Sequence, residues 1–383
     1  MRLRTMAFPL VLVLLLGTGC ARSPHLGDPL AHLTRAQRAQ FDDGRAVFER
    51  EFTPETGLGP LFNANACGEC HEDPVAGGGG DEEEVHIALL RPGGSCDLVE
   101  DRGGPVVQQQ VTPALKAALG IEQEPAPEGV PQARRTSPDL FGFGLLDAVS
   151  EKTILSYADA DDRDGDGISG RPNRTADGRI GRFGRKATVA ALEEFNGLAF
   201  LIEQGITIPR HPTEETIGGQ PIPPGVDPAL DPEIDQAALE KADAFVRFLA
   251  PPEPLRLDRY GRRGKKVFER IGCARCHVPV LKTGDHPIRA LAHRKVAAYT
   301  DLLLHDMGED LADICMGRAA PGEFRTEPLM GLRLVTRFLH DGRAPSIDEA
   351  IRLHGGEASH SRELYQSLDD KERADLGAFL KSL

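Results

Sequence analysis

Apolar residues recur at helical spacing along most of the chain. Thr34 can cap a helix that runs to about Phe52, and another periodic segment ends at Gly205, which suits the residue after a helix. A third periodic segment starts near Asp235 and stops at Pro251. Alternating strand patterns are scarce. The pattern therefore predicts a mostly α-helical protein with long irregular loops.

One amphipathic segment occurs twice. The stretch "GRAVFERE" begins at Gly44, and the related stretch "GKKVFERI" begins at Gly264. A short cysteine motif follows each copy, directly in the second case and after an insertion in the first. The repeat predicts that a small helical module was duplicated. We place the boundary between the two resulting domains after residue 250, which gives domains 20–250 and 251–383.

The N-terminus reads MRLRTMAFPLVLVLLLGTGC and has the layout of an export signal. Arg2 and Arg4 precede an unbroken apolar run, Leu10–Leu16, which is too short to span a bilayer as a mature helix. Small residues then lead to Cys20. We expect residues 1–19 to be removed and Cys20 to be lipidated, which would anchor the protein to a membrane on the periplasmic side. The alternative is a plain cleaved signal.

The formal net charge of the 383 residues is −14. A strongly acidic chain is repelled by phosphate backbones, which argues against nucleic acid as a partner. It favours basic or amphipathic partners, such as a small periplasmic electron-donor protein steered by opposite charge. Solubility alone is an equally good interpretation.

The two cysteine motifs are alike. "NACGECHEDP" contains Cys67, Cys70 and His71, and "GCARCHVP" repeats the pattern. A zinc ion, a redox-active dithiol and a covalently attached haem all use C-x-x-C pairs. Zinc does not need a histidine directly after each pair, and the βαβ setting of thioredoxin-type dithiols is absent. Covalent haem uses every residue, since the histidine becomes an axial iron ligand. We therefore predict two c-type haems, attached at the residues Cys67, Cys70, His71, Cys273, Cys276 and His277.

Candidates for the sixth iron ligand differ between the two motifs. For the second, His354 follows Ile347, Ala350 and Ile351 on one side of a predicted helix and points into an apolar pocket. A core histidine is the alternative interpretation. Methionine is a common ligand in electron-transfer haems, so Met307 and Met330 are rivals. For the first motif the candidate is His86, which follows an acidic run and is equally typical of a solvated loop.

An acidic loop resembles the opening of an EF-hand. The stretch "DDRDGDGISGRPN" places Asp162, Asp164 and Asp166 in alternation, and Ile168 would offer its carbonyl. Position 12 is Asn173 instead of the bidentate glutamate. We predict a calcium site that rigidifies the approach to the first haem, with a solvated Asp/Gly turn as the alternative.

Two cysteines lie outside the motifs and the signal. Cys96 and Cys315 can pair in an oxidising compartment, although the sequence does not show how far apart they lie. The alternative is two unrelated buried thiols.

Seven segments together resemble the bacterial dihaem c-type oxidoreductases, which are relatives of the dihaem cytochrome c peroxidases. They are "GLGPLFNANACGECH", "DGDGISGRPN", "GRFGRKATVAALEE", "IGCARCHVPVL", "YTDLLLHDMGEDLAD", "FRTEPLMGL" and "FLHDGRAPSIDEAIRLHGGEA". The resemblance implies two cytochrome c-like domains with one haem each. It also implies that His354 stands where these peroxidases carry the distal ligand of the C-terminal haem.

The chain departs from that family in two ways. The Trp-Asp-Gly-Arg segment and the Gln/Glu pair near the peroxide-binding haem are not recognisable, which leaves Glu203 and Gln204 as acid–base candidates. Tryptophan, often found at the positions of Phe324 and Met330, is missing from the whole chain. A relay between haems must then use tyrosine, backbone or direct haem contact.

Three functions follow from these residues. The first is an enzyme that reduces hydrogen peroxide, or oxidises a thiol or protein substrate, at one haem while the other relays electrons. The second is a plain electron-transfer cytochrome with both irons six-coordinate. The third is a binding lipoprotein whose haems serve another complex.

Overall fold

The structure is a computed structural model that describes residues 25–383. The predicted export signal and Cys20 lie outside these residues. No helix in the described part of the chain is both long and apolar enough to cross a bilayer.

Within residues 25–383 there are eleven α-helices and eleven short strands. The helices are α1 Arg35–Phe48, α2 Cys67–Cys70, α3 Pro113–Leu119, α4 Phe143–Asp147, α5 Glu151–Leu155, α6 Leu192–Gln204, α7 Gln236–Phe248, α8 Arg259–Arg270, α9 Ile347–Leu353, α10 Ser359–Gln366 and α11 Asp370–Leu380. The strands are β1 Leu61–Phe62, β2 Glu83–Ile87, β3 Leu89–Leu90, β4 Cys96–Asp97, β5 Val106–Val107, β6 Gln110–Val111, β7 Gln132–Thr136, β8 Leu281–Lys282, β9 Lys295–Val296, β10 Leu304–Asp306 and β11 Glu323–Arg325. They form antiparallel pairs β1–β6, β3–β4, β8–β9 and β10–β11, and a three-stranded sheet β5–β2–β7.

The prediction of a mostly α-helical fold is wrong, because the structure is mixed, with 33% helix and 14% strand. Most strands are only two or three residues long, so alternation has no room to show. The longer strand β7 does alternate, but one of its buried positions is Arg135, which is 4% exposed and pairs with Asp313 at 3.0 Å. Because arginine is polar, a buried arginine breaks the alternation of apolar and polar residues by which a strand is recognised.

The helix ends follow the sequence signals. The Thr34 side chain accepts a hydrogen bond from the Gln37 amide, and Gly205 ends α6 in the left-handed conformation at φ 62°. Ser346 likewise accepts from the Glu349 amide at the start of α9. Helix α1 ends at Phe48, four residues earlier than predicted.

The repeated amphipathic segments form two matched helix pairs. Helix α1 packs on α7, and α8 packs on α11. A Cβ added at Gly44 would overlap the Lys241 carbonyl oxygen, and one added at Gly264 would overlap the Asp375 carbonyl oxygen. The second contact residue is Phe245 in one pair and Phe379 in the other, in each case four residues further along the partner helix. Both pairs therefore cross at a glycine, as expected of duplicated modules.

Long-range contacts join the two halves of the chain. The largest apolar core contains residues from both sides of residue 250, including Phe41, Phe245 and Leu303. Cys96 and Cys315 form a disulfide, which confirms the predicted pair. The position of the domain boundary stays a prediction.

We expect Gly44→Ala and Gly264→Ala each to lower the free energy of unfolding by roughly 1–3 kcal/mol, because the added methyl group forces the paired helices apart. The measurement is urea unfolding of the haem-loaded protein, followed by circular dichroism. Gly377→Ala is the matched control, since Gly377 lies within α11 and its added Cβ would meet nothing within 4 Å. That variant should gain about 0.5–1 kcal/mol. An unchanged free energy of unfolding in both Gly44→Ala and Gly264→Ala would contradict the proposed close packing of the helix pairs.

Candidate functional site

The first cysteine motif forms a single helical turn. Helix α2 contains Cys67 and Cys70, and His71 directly follows it. The Nδ1 atom of His71 lies 3.1 Å from the Gly78 carbonyl oxygen, to which it can donate a proton. That hydrogen bond fixes the orientation of the ring and leaves Nε2 as the nitrogen available to a metal.

The second motif repeats this arrangement with other partners. Residues Cys273–Arg275 form a 3₁₀ turn, and the Nδ1 atom of His277 lies 3.0 Å from the Tyr299 carbonyl oxygen. Burial lowers the pKa of His277 to about 4, so the imidazole stays neutral and its Nε2 lone pair is free to ligate.

The four motif cysteines are unpaired and partly buried. Burial raises the pKa of the Cys67 thiol to about 11 and that of Cys273 to about 12. Zinc ligands and redox-active dithiols work as thiolates and lie where the pKa is lowered. Among residues 25–383, no group of three or more potential metal ligands contains two of these cysteines. Thiols that stay protonated in this way are compatible with thioether attachment of a haem, and covalent attachment stays a prediction.

A cavity of about 680 Å³ adjoins the second motif. The two cysteines of the second motif and His277 line this cavity. His354 and the two rival methionines, Met307 and Met330, line it too. Ile347, Ala350 and Ile351 line it as well, as the predicted helix face requires. The volume lies within the range of cofactor pockets.

His354 has the features of an axial ligand. It directly follows α9. Its Nδ1 lies 2.7 Å from the Ala350 carbonyl oxygen, so Nε2 is again the free nitrogen. Burial lowers the pKa of His354, and its proximity contributes to the lowered pKa of His277. The cavity therefore presents two neutral, oriented imidazoles, a donor set that fits a haem iron.

The first motif lies beside the predicted acid–base pair at the end of α6. The Gln204 amide donates to Cys67 Sγ at 3.3 Å. Glu203 is partly buried and accepts a hydrogen bond from Asn63 Nδ2 at 2.8 Å. Burial, together with the nearby carboxylate of Glu84, raises the pKa of Glu203 well above its usual range. The raised pKa favours the protonated form of this carboxyl group, which lies next to the first motif.

His86 is not a solvated loop residue. It lies on β2 with its side chain 12% exposed, and its Nε2 is 2.8 Å from a carboxylate oxygen of Glu84. Its Nδ1 is buried without a hydrogen-bond partner. A role as iron ligand stays a prediction, whereas the pairing with Glu84 places a second proton-exchanging group near His71.

The acidic loop lies at the second motif, so the prediction that it supports the first haem is wrong. Asp166 pairs at 3.0 Å with Arg275, which stands between the two cysteines of that motif. One carboxylate oxygen from each of Asp162, Asp164 and Asp166 lies within 4.8 Å of the others. Asn173, at position 12, is buried and donates instead to the Lys186 carbonyl oxygen. Calcium binding by the aspartates and the Ile168 carbonyl stays a prediction.

A buried histidine links this loop to the second motif. His305 lies 2.9 Å from Asp301, 2.7 Å from Glu357 and 3.7 Å from Cys276 Sγ. Glu357 in turn accepts hydrogen bonds from the Ser169 amide and hydroxyl. Although burial alone would lower the pKa of His305, these hydrogen bonds raise it to about 12. This cluster was not predicted, because Cys276 and Glu357 lie 29 and 52 positions from His305 in the chain.

Asp139 was also not predicted as a site residue, although it lies in a second sequence repeat that could have indicated it. The segment Arg135–Gly142 has a counterpart in Arg325–Gly331, each beginning with Arg-Thr, any residue and Pro. Both segments line the cavity, where burial raises the pKa of Asp139 to about 7.

Phe324 takes the place where the resemblance implies tryptophan. Its ring stacks on His340 with centroids 4.2 Å apart, and the buried Lys186 ammonium lies 3.8 Å from the ring centroid. The neighbouring positive charge disfavours removal of an electron from this ring. Phe324 therefore fills the tryptophan's space without offering its redox chemistry.

Comparisons with known proteins show which family the chain resembles. Residues 126–383 match the family model described as "Di-haem oxidoreductase, putative peroxidase". Among curated proteins no sequence matches significantly.

Similar solved structures include hydrazine synthase from Kuenenia stuttgartiensis, at 14% identity with 100% of both chains covered and a TM-score of 0.39. The diheme peroxidase BthA from Burkholderia thailandensis matches at 14% identity, over 90% of this chain and 86% of that one, with a TM-score of 0.39. A MauG-like protein associated with microbial copper homeostasis matches at 20% identity, over 61% and 89%, with a TM-score of 0.34.

These structural similarities are too low to support any argument, whereas the sequence match covers most of the chain and includes the second motif and His354. The chain belongs to the di-haem oxidoreductase family.

Proposed function

We propose that the protein reduces hydrogen peroxide at the first haem, with electrons relayed through the second. The observation that supports this division is the difference between the two motifs. The second has the imidazole of His354 in its cavity, whereas the first has the carboxyl group of Glu203 beside it, partly buried and with a raised pKa.

The overall reaction balances as H₂O₂ plus two protons and two electrons giving two waters. Haem iron, when bound, supplies the redox chemistry, and the cysteines and histidines of both motifs would hold it. The chain must supply protons at the oxygen atoms that leave as water. Glu203 would donate this proton, since its raised pKa favours the protonated form. Asn63 orients its carboxyl group by donating a hydrogen bond to it, and Gln204 fixes the end of α6 against Cys67.

The second motif is suited to electron relay. His277 and His354, each oriented through Nδ1, would hold the iron of the second haem, and a haem held by two histidines would supply electron-transfer chemistry. The cavity also reaches residues that follow the first motif, including Glu72 and Asp73. A plain electron-transfer cytochrome remains the alternative, in which Glu203 has only a structural role.

We also propose covalent attachment of both haems, export, and lipidation at Cys20. The support is the sequence alone: the C-x-x-C-H motifs and the signal in residues 1–20. Mass spectrometry of the mature protein checks all three through the bound haem mass and the modified N-terminal peptide.

We expect Glu203→Gln to lower kcat for peroxide reduction by about 10²–10⁴-fold, because the amide cannot deliver a proton. The measurement is steady-state peroxide consumption driven by ascorbate and a redox dye, with haem spectra recorded alongside. Glu193→Gln is the matched control, since Glu193 is an exposed residue of the same helix. Loss of activity in the control, or unchanged activity in Glu203→Gln, would contradict the proposed role.

We expect His354→Ala to convert the second haem from low spin to high spin, because the iron loses one axial ligand. His354→Met should restore a low-spin spectrum with a shifted potential. Electron paramagnetic resonance of the oxidised protein measures both effects. Met307→Leu and Met330→Leu are controls that should leave the signal unchanged, and a low-spin to high-spin change in either would assign the ligand to that methionine instead.

A further inference from the structure

One helix face has the opposite charge to the rest of the molecule. Helix α8 turns Arg259, Arg262, Arg263, Lys266 and Arg270 toward solvent, within a stripe about 100° wide at 3.6 residues per turn. We call these five residues the basic face. It stands on a chain whose formal net charge is −14.

Part of the basic face is paired with acidic residues, and part is not. Arg263 pairs with Asp375, and Arg270 pairs with Glu372, both on α11 at 2.6 Å. The other three, Arg259, Arg262 and Lys266, are exposed and have no acidic partner among residues 25–383. Arg259 and Arg262 also lie in the first turn of α8, where the helix dipole makes cations unfavourable. Arg262 donates a hydrogen bond to the Leu257 carbonyl oxygen at 2.8 Å, but no carboxylate in the described part of the chain neutralises the charge of either arginine.

The first module shows that the helix does not need these cations. Aligned on Gly44 and Gly264, α1 has Ala39, Asp42 and Ala46 where α8 has the three unpaired cations. Both helices use the same glycine crossing and the same Val-Phe-Glu-Arg ending. The positive charge is thus a property of the second module and not of the fold.

The basic face lies beside the second motif. Helix α8 ends at Arg270, and the 3₁₀ turn of the motif begins at Cys273. Electron entry at a relay haem requires a donor to dock close to that haem, and a charged face next to it steers such a donor. Tyr260, 42% exposed and stacked by Arg259 and Arg263, adds an aromatic contact of the kind found in protein interfaces.

A membrane surface fits this face less well. Helices that lie in a bilayer interface insert their apolar side. The apolar side of α8, formed by Gly261, Gly264, Val267 and Phe268, is already buried, and it packs on α11. The solvent-facing side of α8 consists of the charged side chains of the basic face and the ring of Tyr260.

We propose that the basic face of α8 is the docking site for an acidic electron-donor protein that delivers electrons to the second haem. This inference rests on the relay role proposed for that haem. It reverses, for this face, the basic partner expected from net charge alone, because steering depends on the local charge near the entry point.

The test uses the haem-loaded full chain and a small acidic c-type cytochrome in its reduced state. Calorimetry gives the Kd, and stopped-flow absorption gives the rate of electron transfer to the oxidised protein with no peroxide present. The variant Arg259→Ala/Arg262→Asp/Lys266→Ala carries the residues of the first module and should fold at least as stably. Arg35→Asp/Arg38→Asp on α1 is the control, since it changes the formal net charge by the same four units at exposed positions.

We expect the triple variant to bind the acidic cytochrome at least about tenfold more weakly at low ionic strength, and the control to bind it as the unmodified protein does. High salt should abolish the difference in Kd, and the basic face should not tighten the binding of a basic cytochrome. Equal binding by the triple variant would overturn the proposal. Loss of binding to phosphatidylglycerol vesicles with unchanged electron transfer would overturn it in favour of a membrane contact.

Ascorbate-driven peroxide turnover separates this inference from the proposed function. The triple variant should retain that turnover, because a small reductant needs no docking face. If the unmodified protein lacks the turnover but still accepts electrons at the basic face, the peroxidase proposal fails while the docking site stands.

Discussion

The hydrogen bond that holds Nδ1 of each motif histidine is the constraint on which the rest of the site depends. Gly78 and Tyr299 supply the carbonyl oxygens, and each leaves Nε2 pointing toward the space that a haem would occupy. A histidine free to rotate would lose much of its preference for one nitrogen and one direction. The glycine crossings at α1–α7 and α8–α11 hold the helices that precede these motifs, so local packing and ligand direction are linked.

Within this shared framework the two modules have diverged. The second has gained a facing imidazole, a basic helix face and a buried cluster around His305. The first has the Glu203 carboxyl group, whose pKa is raised, and a Glu84–His86 pair. In the proposed function, these differences suit the second site to accepting electrons and the first to delivering protons.

Features encoded by neighbouring residues were predictable from the sequence. The motifs, the Thr34 cap, the glycine after α6 and the apolar side of α9 that positions His354 all depend on residues a few positions apart. Most features that depend on long-range contacts were not, and the Cys96–Cys315 disulfide is the exception. The contact between Asp166 and Arg275 joins residues 109 positions apart, so nothing near the acidic loop indicates which haem it approaches. Arg135 is buried only because Asp313 is folded against it, and that pairing hides a strand.

The most direct test of the account is to half-reduce the haem-loaded protein, add one equivalent of hydrogen peroxide and follow the absorption of both haems. The account predicts rapid reoxidation with stoichiometric loss of peroxide, and a second haem that stays low spin throughout. An unreactive protein with both haems six-coordinate would contradict it and identify the chain as an electron carrier.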